Sequence, residues 1–187
     1  LVQAAQDLGV LLETEPPRAG GHDLLVIATG ASRDFQDQAP ELASLTPIKG
    51  HILRYPTLTY QGPVLRGPGA YAAPGRAGLL VGATMEVGEG REDVDLQVAA
   101  GLAARADAVF PGLAGQVWSA AAGVRAATPD GMPMVGRSAR PGVILACGAR
   151  RNGWLLAPLV GEVVAACALG HEPGPWAARL DPRRFEA

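Results

Sequence analysis

Apolar residues along this chain fall into two habits. Short apolar runs occur at residues 23–28, 79–81 and 143–146, each ending within two residues of a Gly. Runs of that length between breakers predict buried strands. The 23–28 run lacks alternation, as in a sheet covered on both faces. Elsewhere the spacing is helical. Leu1, Ala4, Ala5 and Leu8 predict a helix over 1–12 that ends near Gly9. Val94, Leu96, Val98, Leu102 and Val109 predict a longer one over 92–109, stopped by Pro111-Gly112. Leu155, Leu156, Leu159, Val160, Val163 and Val164 predict a third, opening at Gly153.

Between these lie a weak strand after the first helix and a turn from Pro16-Pro17 to Gly20-Gly21. A strand follows at 47–55, then two or three short strands at 64–85 separated by Gly67-Pro68-Gly69 and Pro74-Gly75-Arg76. A small-residue strand covers 116–127. Mixed elements of this kind predict an α/β chain with α+β character, in which residues 49–118 build a separate antiparallel sheet with the 92–109 helix on one face.

The densest chemistry sits where the last strand gives way to the last helix, at Gly148-Ala-Arg-Arg-Asn-Gly153-Trp-Leu-Leu. A helix start presents free N–H groups and partial positive charge to an anion or an electron-rich carbonyl. Gly153 allows close approach of a ligand to the backbone. Arg151 adds a planar fork suited to a carboxylate. Upstream, Arg125 lies in a strongly apolar stretch and needs a partner, because a lone buried charge is costly. Asp130 could supply it, or the carboxylate of a bound ligand. His51, a single histidine among apolar residues, reads as a hydrogen-bonded structural side chain.

Four segments in order resemble the glycine oxidase and D-amino-acid oxidase family of FAD enzymes. They are Ala28-Thr29-Gly30-Ala31, the run Val81-Gly-Ala-Thr-Met85-Glu86, Gly123-Val-Arg125-Ala-Ala-Thr128-Pro-Asp130-Gly-Met-Pro133, and Gly148-x-x-Arg151-Asn152-Gly153-x-Leu155-Leu156-Ala157-Pro158. The similarity runs from about Leu24 to Phe185, whose closing Pro182-Arg-Arg-Phe185 resembles a chain-end anchor of the family.

The resemblance implies a partial FAD-binding domain from residues 1–46 and 119–187, with a substrate domain at 47–118. It implies that Arg125, Arg151, Tyr71 and Met85 form the catalytic group, the arginines and the tyrosine gripping a substrate carboxylate. It implies flavin contacts from Ala28, Thr29, Gly30, Ala31, Gly148, Arg151, Asn152, Gly153, Trp154, Leu155 and Leu156. By residue type alone, Thr29-Gly30 is an ordinary strand-to-loop turn and Tyr71 a half-buried tyrosine at a sheet edge. No cysteine lies between Arg125 and Gly136, where relatives attach flavin, so FAD is expected to bind non-covalently. The Arg-Asn-Gly loop favours the glycine oxidase branch. Ala149 and Arg150 replace the family's His-aromatic pair, and Lys49 and His51 depart from its Arg-Gly-Gln. Arg150, without a family counterpart, is expected to face solvent.

Composition narrows the field. Of 187 residues 48% are hydrophobic and 18% charged, with a net charge of −2, which describes a folded chain without a basic stripe for nucleic acid. Cys147 and Cys167 both lie in apolar runs and read as buried thiols of a reducing, cytoplasmic compartment, with no metal site. The 154–169 run contains Pro158 and Glu162 and is short for a membrane span. No Gly-x-Gly-x-x-Gly follows any strand, although that loop holds a dinucleotide pyrophosphate. The chain opens at Leu1 in a helical pattern and reads as the carboxy-terminal part of a longer enzyme. Its missing amino-terminal segment would come in cis or as a second chain, and homo-oligomers stay open.

The expected activity is oxidation of the C–N bond of glycine, sarcosine or a D-amino acid to the imino acid, with hydrogen peroxide as the second product. The alternatives are a non-catalytic fragment that needs its amino-terminal partner, or a D-amino-acid or amine dehydrogenase.

Overall fold

A computed structural model describes residues 1–15 and 20–185. In chain order the main elements are helix α1 (Val2–Asp7), strands β1 (Leu25–Ile27), β2 (Thr46–Tyr55), β3 (Leu65–Gly67), β4 (Ala70–Gly75), β5 (Gly78–Gly82) and β6 (Glu86–Val87), helix α2 (Leu96–Val109), strands β7 (Ser119–Ala127), β8 (Met134–Arg137) and β9 (Val143–Cys147), and helices α3 (Gly153–Leu169) and α4 (Ala177–Leu180). They form two sheets, giving the mixed α/β architecture expected.

The smaller sheet has the order β1-β9-β8. β1 runs parallel to β9 in the register Leu25↔Val143 to Ile27↔Leu145, and β8 is antiparallel to β9. Side chains of successive strand residues alternate between faces, and the two faces feed two cores. Ile27, Met134, Leu145 and Cys147 pack with Leu42 and Leu45, whereas Val135 and Ile144 pack with Val163, Cys167 and Leu180. α3 thus lies across one face of this sheet, ending at Gly170 in the left-handed conformation with φ 73°.

The larger sheet is antiparallel, in the order β3-β4-β5-β2-β6, with β7 also on β2. β5 and β6 pair with different halves of β2, Ile52–Tyr55 and Ile48–Lys49, while β7 pairs along it from Thr46↔Ala127 to Arg54↔Ser119. Its core is Leu53, Tyr55, Ala72 and Val81 against Ala99, Leu102 and Ala106 of α2. The small residues Ala99, Ala103 and Ala106 let α2 lie close to the strands.

Some expectations change. β7 belongs to the antiparallel sheet along its whole length, so the boundary at 118 cuts it from its pairing partner; the continuous ladder with β2 satisfies both backbones. α2 starts at Leu96 rather than Glu92, because the Asp95 carboxylate accepts from the Gln97 and Val98 N–H groups at 2.8 and 3.2 Å and caps the helix there. α1 is a six-residue helix with no buried residue, and no strand follows it within 10–15. Of the turn expected at Pro16-Pro17 to Gly20-Gly21, residues 16–19 lie outside the described residues. Val26 is 42% exposed, so among the described residues the 23–28 strand is not covered on both faces.

Candidate active site

β1 and β9, being parallel, release their following turns at the same edge of the small sheet. Those turns are Ala28–Ala31 and Gly148–Asn152. The crevice beyond the carboxyl ends of parallel strands is the usual ligand position in such sheets. Gly148 has φ 74°, and a Cβ there would meet the Thr128 methyl at 2.7 Å, so only glycine fits. The loop is then tied to β7: Ala149 bridges Ala127, and the Arg150 N–H donates to the Ala126 carbonyl at 3.1 Å. This docking carries the arginines of the loop to the end of the large sheet that bears Arg125.

There a cavity of about 1010 Å³ is lined by Arg125, Arg151, Asn152, Tyr71 and Met85, together with Arg66, Arg150, Thr84 and small residues. All four members of the expected catalytic group therefore share one space. Arg125 is half-buried and forms no hydrogen bond or ion pair among the described residues. Its alternative partner is engaged elsewhere, for Asp130 binds Arg184 at 2.8 Å. The Arg184 guanidinium, which also takes the Asp130 carboxylate bidentately, holds it down at about 2 from 3.8.

Two glycines shape the floor. The Arg125 guanidinium lies directly above Gly50 of β2, where a Cβ would come within 2.8 Å of its central carbon. Tyr71 lies across Gly82, its partner in the β4–β5 ladder, with the ring carbon bearing the hydroxyl 2.6 Å from where a Cβ would stand. A glycine inside a strand marks close approach of another group, and here that group is a cavity-lining side chain of the neighbouring strand. This signal was present in the sequence at Gly50 and Gly82. Arg150 is exposed along its length yet lines the cavity, and its guanidinium sits 3.5 Å from the Met85 sulfur; φ is 51°. It is exposed, as expected, and also borders the cavity.

Beside the cavity His51 is fully buried. Its Nε2 accepts the Asp95 N–H at 2.9 Å, so Nδ1 carries the hydrogen and faces Glu86 Oε1 at 3.0 Å and Thr84 Oγ1 at 3.2 Å. Thr84 in turn donates to Glu86 at 2.5 Å. The histidine is structural, as expected, and locks the 84–86 turn beside Met85 to the start of α2. Lys49 is likewise buried and reaches Asp93 at 3.7 Å.

The expected flavin contacts divide between two spaces. Thr29, Gly30 and Ala31 line a second cavity of about 810 Å³ with Arg33, Pro47 and Val124. Val124 and Arg125 point to opposite faces of β7, so the two cavities flank that strand. Gly153, Trp154 and Leu155 open α3 at the surface; Trp154 is 88% and Leu155 78% exposed, and Leu156 is half-buried. Asn152 makes no side-chain cap, and the N–H groups of Gly153, Trp154 and Leu155 meet no acceptor among the described residues. That uncapped helix start, adjoining the arginine cavity, fits the electron-rich edge of a flavin ring. Both thiols are free and buried, and burial pushes the Cys147 thiol up. Among the described residues no group of side chains could hold a metal ion, and no helix is long and apolar enough to cross a membrane.

Residues 2–167 match the family model described as DAO, FAD dependent oxidoreductase. The chain is 32% identical to the bifunctional protein ThiO/ThiG of Synechocystis sp. over 99% of its length and 32% of that protein. It is 40% identical to a glycine oxidase of Bacillus licheniformis over 63% of its length and 33% of that protein. The glycine oxidase of Geobacillus kaustophilus superposes with a TM-score of 0.74 at 28% identity, over 88% of this chain and 46% of that one. Iminodiacetate oxidase of Chelativorans sp. BNC1 gives 0.70 at 26%, over 86% and 46%. The chain thus spans less than half the length of each of these relatives. Its place among proteins follows from the family match and the four motifs: the chain belongs to the DAO family of FAD dependent oxidoreductases.

Proposed function

We propose that the arginine-lined cavity binds the carboxylate of a small amino acid and presents its Cα–N bond for oxidation, in the manner of a glycine oxidase. The observation that carries this reading is Arg125: a guanidinium without a partner among the described residues, laid over Gly50 and sharing one cavity with Tyr71, Met85 and Arg151. Arg125 and Arg151 would take the carboxylate through charge-assisted, forked hydrogen bonds, and the Tyr71 hydroxyl would donate to it. Held in this way, the substrate has one orientation, and positioning is the protein's main catalytic contribution. Among the described residues no histidine or carboxylate lines the cavity, and in this reading the substrate reacts as the free amine.

FAD, held non-covalently, would supply the acceptor for the Cα hydrogen and its electron pair and the route of that pair to dioxygen. For glycine or sarcosine the balance is amine, dioxygen and water giving ammonia or methylamine, glyoxylate and hydrogen peroxide. The free N–H groups at the start of α3 would hold the ring's electron-rich edge, and Ala28–Ala31 would lie along the rest of the dinucleotide. The relatives' greater length supports an amino-terminal segment, in cis or as a second chain, that completes the pyrophosphate site.

The test is Arg125→Ala in the full-length protein. Loss of one partner of a desolvated charge pair costs about 2–5 kcal/mol, so the KM for sarcosine should rise steeply and carboxylate inhibitors should weaken by a similar factor. Unchanged inhibitor binding would overturn the assignment. An oxygen electrode with sarcosine, glycine and D-alanine separates an oxidase from a dehydrogenase, which would reduce its flavin without consuming oxygen.

A further inference from the structure

We propose that the substrate carries a second anionic group besides the carboxylate held by Arg125, as in an N-carboxyalkyl glycine or an acidic D-amino acid. This rests on the preceding reading of the cavity as an amino-acid site and names the class of amino acid it takes. Among the described residues four arginines line that one cavity, Arg66, Arg125, Arg150 and Arg151, and no aspartate or glutamate does. None of the four forms an ion pair among the described residues. Guanidinium groups stay charged at any physiological pH. Four of them around one space repel each other and raise the local concentration of anions.

A single carboxylate has two oxygens and is satisfied by one or two forks. Arg125 and Arg151 already meet that need, so Arg66 and Arg150 are left over. Their placement sets them apart from the first pair. Arg66 lies on β3, the outermost strand of the order β3-β4-β5-β2, while Arg125 lies on β7 beyond β2. The ladders align Arg66 with Tyr71, Gly82, Ile52 and Ala121 in turn, so Arg66 and Arg125 are separated by four strand steps and by four residues along β7. Arg150, whose N–H is bonded to the Ala126 carbonyl, sets its guanidinium against the Met85 sulfur at 3.5 Å. The cavity therefore has cationic groups at more than one station. The backbone at 150 is in the left-handed region, with φ 51°, a conformation costly for arginine. The loop thus keeps a charged side chain at the cavity where a small or amide residue would be easier.

The experiment uses the natural full-length protein with FAD bound. Methoxyacetate and oxydiacetate mimic sarcosine and iminodiacetate, with an ether oxygen in place of nitrogen, and cannot be oxidised as amines. Their dissociation constants are read from the perturbation of the flavin absorbance. Oxydiacetate should bind at least about tenfold tighter at low ionic strength, the worth of one charged hydrogen-bonded contact, and the ratio should shrink with added salt. Arg66→Gln and Arg150→Asn, the latter chosen because asparagine tolerates the left-handed backbone, should each lower the ratio, and the double variant should bring it near one. If methoxyacetate binds and oxydiacetate binds no tighter in the unaltered protein, the second-anion inference falls while the amino-acid reading stands. A ratio that persists in the folded double variant overturns it as well. If neither compound perturbs the flavin, both readings fall.

Discussion

At the residue scale the site depends on what is absent from Gly50 as much as on what Arg125 presents. A methyl group at position 50 would occupy the space of the guanidinium. The obstacle is the end of a flexible side chain, so the strand can keep its course while Arg125 swings away. Gly50→Ala should therefore leave thermal stability unchanged or raised, since alanine restricts the unfolded chain more than glycine does, and should weaken methoxyacetate binding about tenfold, the worth of a charged hydrogen bond. Thermal unfolding and ligand titration on the same preparation separate the two effects. Equal affinity in the variant would mean that Arg125 reaches the carboxylate from another rotamer. Arg125 itself was legible from sequence as a charge in need of a partner. Gly50 inside a strand marks a close approach, but the sequence does not name the approaching group, which lies on the neighbouring strand 75 positions along the chain.

Among the elements, α2 shows how local chemistry sets a boundary that hydrophobic spacing misplaced. Residues 92–95 have apolar company in Val94, but the helix waits for the Asp95 cap. The same residue's N–H donates to His51, so the cap is also the joint between α2 and β2. Asp95→Ala should lower stability by about 1 kcal/mol, and Asp95→Asn by less, because the amide oxygen can still accept the Gln97 and Val98 N–H groups. Denaturant midpoints of the two variants check this; equal losses would assign the effect to charge and not to capping. Strand cores at 25–27, 79–81 and 143–147 were legible because unbroken runs of β-branched residues and leucine lie there, although at 25–27 only Ile27 is fully buried. The pairing of β7 with β2 was harder to see, since its alanines and glycine give almost no alternation to mark a face.

At the scale of the whole molecule, the chain's end is fastened to the loop between the two sheets. Arg184 donates to both Asp130 oxygens, at 2.8 and 3.1 Å, and to the carbonyls of Leu180, Asp181, Met132 and Pro133, while its charge lies 4.1 Å above the Phe185 ring. Sequence pointed to a chain-end anchor at 182–185, yet it offered Asp130 to Arg125, because nearness along the chain says nothing of a partner 54 positions away. The pairing has a pH signature. Asp130 falls from 3.8 to about 2 on folding, chiefly through the Arg184 hydrogen bonds. A carboxylate depressed in the folded state adds stability above its unfolded value, and that contribution is lost as pH falls through the folded one. The difference in stability between the unaltered protein and Asp130→Asn should therefore be constant above about pH 5 and shrink between about pH 4 and 2. Asp130 is 41% exposed, so solvent screens the pair, and added salt should reduce the difference further. Denaturant midpoints across that range, with and without salt, provide the measurement; parallel curves for the two proteins would mean that the carbonyl contacts of Arg184 hold the tail without help from the Asp130 charge.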